Sequence, residues 1–289
     1  MLELIEGCGR RAVGILLPNL RKALNVSRHL FLMFNIFKNS RQPICPVDRE
    51  TRIWMEGAFL WLCSQFSEQT IVNMRTLVPH RQDFPFSFDG SQKTLVESAT
   101  IVAAQMNIDI DKVNLQTYQD SIREIKGEMG YSLYPELDPS SEIKLSGGMY
   151  FGKGVDGRFT VYIEQSLLFD PEGLIATLAH EFAHIKLLGE NRIETNHEDL
   201  TDLTTVAFGL GIFNANSSSR FNKNYSGWSH SALGYLTQQE WGYGLALYAY
   251  YREEQNPSWI KYLTPNLKTD FKKSQEFMYA NMDKIFIEE

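Results

Sequence analysis

Apolar positions Ile53, Trp54, Phe59, Leu60, Leu62, Cys63 and Phe66 recur mostly at helical spacing, and this spacing predicts a helix over residues 49–67. Ahead of it, Pro43 and Pro46 in "RQPICPVD" restrict the backbone, and Asp48 is suited to cap the first turn. A second helical stripe runs over 91–106 through Leu95, Ala99, Ile101, Val102 and Met106. Both stripes are faces that should pack. The pattern then changes: "GGMYFGKGVDGRFTVYIEQS" holds two β-rich runs around Asp156-Gly157, a dipeptide that readily takes positive φ, which predicts a hairpin. In its second run Phe159, Val161 and Ile163 alternate with Thr160, Tyr162 and Glu164, as in a strand with one buried face.

The next helix is bounded by local chemistry. Asp170 suits the N-cap, Pro171 the first helical position and Glu172 the positive end of the dipole. Phe169 and Leu174 have hydrophobic-staple spacing, and Gly189 after "IKLL" suits a left-handed C-cap. The predicted helix is about 18 residues, or about 27 Å, long. Further on, Thr237 and Glu240 form a capping-box pair that predicts a helix over 238–252. The "KTDFKKSQEF" stretch reads as the solvated face of a final helix.

Composition narrows the class. With 289 residues, 43% hydrophobic and 22% charged, the chain is a globular protein rather than a disordered or polytopic membrane one. The net charge of -7 is uneven: residues 1–41 carry seven Lys or Arg against Glu3 and Glu6, so that segment is +5 and the remainder -12. An acidic body lacks the clustered cations that phosphate neutralisation needs, so no nucleic-acid partner is expected. Residues 12–38 are apolar and basic, and could lie on a membrane or a partner as a broken amphipathic helix. The plainer expectation is a terminal helix packed on the body, or an extension. The chain thus divides into an N-terminal extension, 1–41, and one domain, 42–289. Cys8, Cys45 and Cys63 are few, odd in number and without CxxC spacing, which favours a reducing compartment. No secretory pattern opens the sequence, and a cytoplasmic location is the expectation.

Candidate chemistry sits in "TLAHEFAHIKLLG", residues 177–189. His180 and His184 are one helical turn apart, so two imidazole nitrogens can meet one cation. Glu181, about 100° round the helix, can face a metal-bound water without competing for the metal. This is the HExxH arrangement, in which zinc acidifies a water and the glutamate takes its proton. Six histidines scattered at random would give it on the order of once per hundred such chains, and its apolar setting (Leu178, Ala179, Phe182, Ala183, Ile185) argues for a buried site helix.

Zinc catalysis needs a third protein ligand and an open fourth position. Glu194, His197, Glu198, Asp199 and Asp202 all lie downstream. Counting from Glu198, positions i+3, i+4 and i+7 are Thr201, Asp202 and Thr205, one polar stripe. Counting from Asp199 or His197 draws in Leu203, Val206 or Leu200, which should pack. Glu198 is therefore the expected third ligand, with Asp202 accepting the free ring N–H of a ligand histidine, His180 being the expected one. The eight residues from Gly189 to Asn196 let the second helix fold back onto the first.

"TLAHEFAHI" followed by Glu198-x-x-x-Asp202 resembles the gluzincin branch of the zincin metallopeptidases, the thermolysin-like HExxH plus ExxxD arrangement. The likeness is confined to motifs within about residues 147–213. It implies a zincin-like α+β domain: a small mixed sheet, an HExxH helix, a following helix with the third ligand, and a helix-rich C-terminal part. It further implies His180, His184 and Glu198 as zinc ligands, Glu181 as general base, Asp202 behind them, and a strand near 159–164 that edges the cleft and pairs with an extended substrate. The spacer of thirteen residues between His184 and Glu198 is shorter than that of thermolysin. The metzincin pattern is not met, since Leu187 stands where its glycine would and Glu190 where its third histidine would.

Hydrolysis by such a site also calls for an oxyanion donor. Among the downstream residues His230, Tyr235 and Tyr243, the candidates named are His230 and Tyr243, although aromatics on that helix more often pack than catalyse. His29 and His80 have no partner pattern. The expectation is a zinc-dependent peptidase acting on a peptide or protein; the alternative is a catalytically silent zincin-like domain that binds a partner or senses zinc.

Overall fold

The computed structural model of the chain describes residues 42–119, 125–126, 132–133, 147–224 and 236–286; the 1–41 extension, Tyr235 and His230 lie outside them. The first helix begins where Asp48 accepts the Thr51 amide at 3.0 Å, as the sequence predicts. It is α1 (Arg49–Phe66), followed by the short α2 (Glu68–Asn73) and by α3 (Gln92–Gln105), which Ser91 caps through the Thr94 amide. Then come β1 (Val113–Tyr118), a two-stranded ladder of β2 (Ile125–Lys126) and β3 (Ser132–Leu133), and the pair β4 (Gly148–Lys153) and β5 (Phe159–Glu164). The remainder is helical: α4 (Pro171–His184), α5 (Glu198–Ala207), α6 (Gly211–Asn224), α7 (Gln238–Tyr251) and α8 (Pro265–Ala280). Among the described residues this is an α+β fold with eight α-helices and a small three-stranded mixed sheet. No helix among them is long and apolar enough to cross a membrane.

The β4–β5 hairpin turns at Gly157, φ +80°, where the Asp156 carboxylate accepts the Arg158 amide at 2.9 Å. Its second strand corrects one expectation. Sheet order is β1-β5-β4, with β5 parallel to β1 and antiparallel to β4. Both sides of β5 are therefore occupied, and β4 is the strand that edges the sheet beside α4. The buried face of β5, Val161 and Ile163, packs with Leu95 and Val102 of α3, Leu174, Leu178 and Phe182 of α4, and Phe213 of α6.

A second apolar group gathers Met55, Phe59 and Leu62 of α1, Leu203 and Val206 of α5, Trp241 and Leu245 of α7, and Phe271 and Met278 of α8. Helix α4 lines the first group and α5 the second, and the two helices pack on each other. Side chains that pass between them stand at the seam of the two cores. Every residue of α7 from Trp241 to Tyr251 is buried, the mark of a helix enclosed on all sides. Its capping box, Thr237 with Glu240, forms as predicted.

Two local readings at the ends of α4 are corrected. Phe169 does not staple to Leu174: its ring is 72% exposed and lies against Gly90 instead. Gly189 is not a left-handed cap, because the chain leaves α4 through a π-helical turn, Ile185–Gly189, and the positive φ falls at Asn191. Gly189 serves close approach, since a Cβ there would stand 2.7 Å from the Phe159 ring and 3.0 Å from the Tyr150 hydroxyl.

The α7–α8 contact depends on a missing side chain. A Cβ on Gly242 would lie 2.7 Å from Asp270 Cβ and 3.1 Å from the Phe271 amide nitrogen. Gly242→Ala is expected to destabilise the protein by about 1–3 kcal/mol, read as a lower urea midpoint with an unchanged slope. An unchanged midpoint would show that α8 moves aside freely.

Candidate metal centre

Helix α4 enters its site under local control. Asp170 caps it through the Gly173 amide at 3.1 Å, Pro171 takes the first turn, and eleven of its residues are buried. Three of its polar side chains, His180, Glu181 and His184, lie within that apolar setting. The π turn then sends the chain back: Lys186, buried, pairs with Glu190 and lies 5.5 Å from the Phe66 ring centroid. Arg192 holds Glu190 at 2.7 Å and donates to the Gln65 carbonyl at 2.9 Å, which ties the linker to the end of α1. Glu198 consequently opens α5 directly beside the two histidines.

One oxygen of Glu198, Oε2, lies 3.1 Å from His180 Nε2 and 3.5 Å from His184 Nε2. One donor atom from each of the three residues falls within 4.8 Å of the others, so the group could hold a metal ion. The chemistry of the set fits zinc. Ligands at about 2.0–2.1 Å from a tetrahedral zinc stand about 3.3 Å apart, close to the two separations from Glu198 Oε2. The His180 and His184 rings meet edge to face, centroids 4.9 Å apart.

Behind the donors, Asp202 is fully buried; its Oδ1 is 2.9 Å from His180 Nδ1 and its Oδ2 accepts the Leu236 amide at 3.2 Å. His184 Nδ1 is 3.5 Å from the Thr201 hydroxyl, which itself donates to the His197 carbonyl at 3.0 Å. Asn196 Nδ2 donates to Glu198 Oε1 at 2.7 Å. On the sheet side, Tyr150 of β4 stacks on His184, centroids 5.9 Å apart and planes 16° from parallel. Gly148 lets β4 approach: a Cβ there would stand 2.8 Å from Glu181 Oε1 and 2.6 Å from Thr177 Cγ2.

Electrostatics follow from this packing. Burial alone would drive the proton from His180, but hydrogen bonds to Asp202 and Glu198, with the charges of Asp202 and Glu181, outweigh it and raise its pKa well above the usual value. Burial, then the charge of His180, pushes His184 down to about 4. Burial works to raise Glu198 as well, yet the bond and charge of His180 bring it below the usual carboxylate range. Glu181 is pushed up to about 7 by burial, partly offset by His180. Burial also pushes the Tyr150 hydroxyl up to about 12, so that group remains uncharged.

The structure therefore brings His180, His184, Glu198 and Asp202 together, with Glu181 adjoining. It does not bring Tyr243 to them. That residue is fully buried in the second core, and its hydroxyl donates to Glu56 Oε1 at 2.6 Å, so it is a packing tyrosine with a buried partner rather than an oxyanion donor. In the sequence Gly148 and Tyr150 are only part of the first β-rich run and Asn196 only the end of the link to α5, with no site role attached. Thr201 stands there only as part of the polar stripe from Glu198. No family model, curated protein or solved structure matches the chain.

Asp202 supplies the acceptor for His180 and for a buried amide. Asp202→Ala strands both, and breaking a buried pair of this kind costs about 3–5 kcal/mol. Thermal and urea melts of the metal-free protein should register a loss of that size, and a variant as stable as the parent would show that neither contact matters to folding.

Proposed function

We propose that the chain is a zinc-dependent metallohydrolase acting on peptide bonds, with a zincin-like domain of the gluzincin type. The observation that carries this reading is the convergence of His180, His184 and Glu198 on one point, with the buried carboxyl of Glu181 beside it. Zinc held by those three residues supplies Lewis acidity, polarising a scissile carbonyl and lowering the pKa of a water.

The chain's own residues do the rest. Glu181 takes the proton of the attacking water and delivers it to the leaving amine. Asp202 accepts from His180 Nδ1, which leaves Nε2 as the atom offered to the metal. Gly148 keeps space for the Glu181 carboxyl where a larger residue would press on it. An extended peptide pairs along β4 rather than β5, because β4 is the edge of the sheet and runs past both Glu181 and His184. His230 remains the candidate oxyanion donor.

A cleavage assay on mixed peptides, with and without chelator, tests this. Chelator should abolish cleavage, and Glu181→Gln should lower turnover by about 10²–10⁴-fold while zinc content stays the same. Full activity of Glu181→Gln would remove that residue from its role. Stoichiometric zinc with no cleavage of any peptide would favour a silent, partner-binding or zinc-sensing domain.

A further inference from the structure

Each of the three donor residues has its own outer partner, and all three partners come from one short stretch, residues 196–202. We infer that Asn196 and Thr201 are positioning residues that select which atoms of Glu198 and His184 face the metal, as Asp202 does for His180. The inference rests on the zinc reading above and deepens it.

The chemistry at Glu198 is one-sided. A carboxylate can only accept, so the contact at 2.7 Å must be the Asn196 amide donating to Oε1. With Oε1 engaged, Oε2 is the oxygen left to point at the two imidazoles, at 3.1 and 3.5 Å. Asn196 thereby favours one-oxygen coordination and keeps a further position of the cation open to substrate or water.

At His184 the choice is between tautomers. The Thr201 hydroxyl spends its hydrogen on the His197 carbonyl at 3.0 Å and turns lone pairs toward His184 Nδ1 at 3.5 Å. His184 then carries its hydrogen on Nδ1 and presents the bare Nε2 toward Glu198. Tyr150, stacked on the other side of the ring, restrains its plane. Thr201 is fully buried, so no bulk water can replace its hydroxyl. Helical spacing makes the arrangement compact: Thr201 and Asp202, at three and four residues beyond Glu198, stand on the same face of α5 as the ligand.

The test uses the full chain carrying Asn196→Ala, Thr201→Val or Thr201→Ser, with zinc affinity measured by chelator competition. Loss of such outer partners typically weakens binding about 10–100-fold; that loss is expected for Thr201→Val, and one at the lower end for Asn196→Ala, whose amide is exposed to water. Thr201→Ser, which keeps the hydroxyl, should bind as the parent does. Two spectroscopic readouts separate positioning from folding. Histidine-selective ¹H–¹⁵N spectra of the metal-free protein should report the Nδ1–H form of His184 in the parent and Thr201→Ser, and its loss in Thr201→Val. The cobalt-substituted Asn196→Ala protein should have weaker visible bands than the parent, as a second carboxylate oxygen raises the coordination number. Unchanged affinities and spectra in a parent that binds one zinc would overturn the inference and leave the zinc site standing. A parent that binds no zinc would overturn both.

Discussion

Two imidazoles carried into an apolar interior need partners there, and the carboxylates of α5 provide them. Leaving a buried polar group without a partner costs roughly 2–7 kcal/mol, so α4 and α5 are bound to one geometry. Asp202 has no exposed surface, and its second oxygen also holds the Leu236 amide just before the Thr237 cap of α7. One carboxylate thus links α4, α5 and the start of α7. The apolar groups on either side of this seam are built around that link, with Leu178 and Phe182 facing one core and Leu203 and Val206 the other.

The proposed function draws on the same constraint. The Glu198 oxygen that meets both imidazoles, at 3.1 and 3.5 Å, is the atom proposed to face a divalent ion beside them. The sheet contributes closeness: Gly148 and Gly189 omit side chains where β4 and β5 press on α4 and on its π turn. Tyr150 fits the gap so made and covers His184. The strand order leaves β4 at the edge of the sheet, the strand along which a peptide is proposed to pair.

Much of this could be read in the sequence because its signals are local. HExxH, the Asp48, Asp170 and Thr237 caps, the Asp156-Gly157 turn and the polar stripe of α5 each need only a few neighbouring residues. Where the determinants are distant, the reading missed. Tyr243 meets Glu56, a partner 187 residues away, on a helix buried all round, so periodicity carried no hint of which way its hydroxyl points. The alternation in β5 reports one buried face and is silent on whether its edges are covered by β1 and β4. Gly189 followed an apolar run as a cap glycine does, and only the rings of Phe159 and Tyr150 reveal its other use. Asn196 lies two residues before Glu198, close enough in sequence to be noticed, but an asparagine ahead of a helix reads first as a turn residue.

The central claim concerns a single point in space shared by three side chains. A crystal of the full chain grown with zinc, measured on both sides of the zinc absorption edge, locates the ion without reference to activity. The account predicts one anomalous peak bounded by His180 Nε2, His184 Nε2 and Glu198 Oε2. A peak elsewhere, or an empty site with those three atoms turned apart, would contradict it.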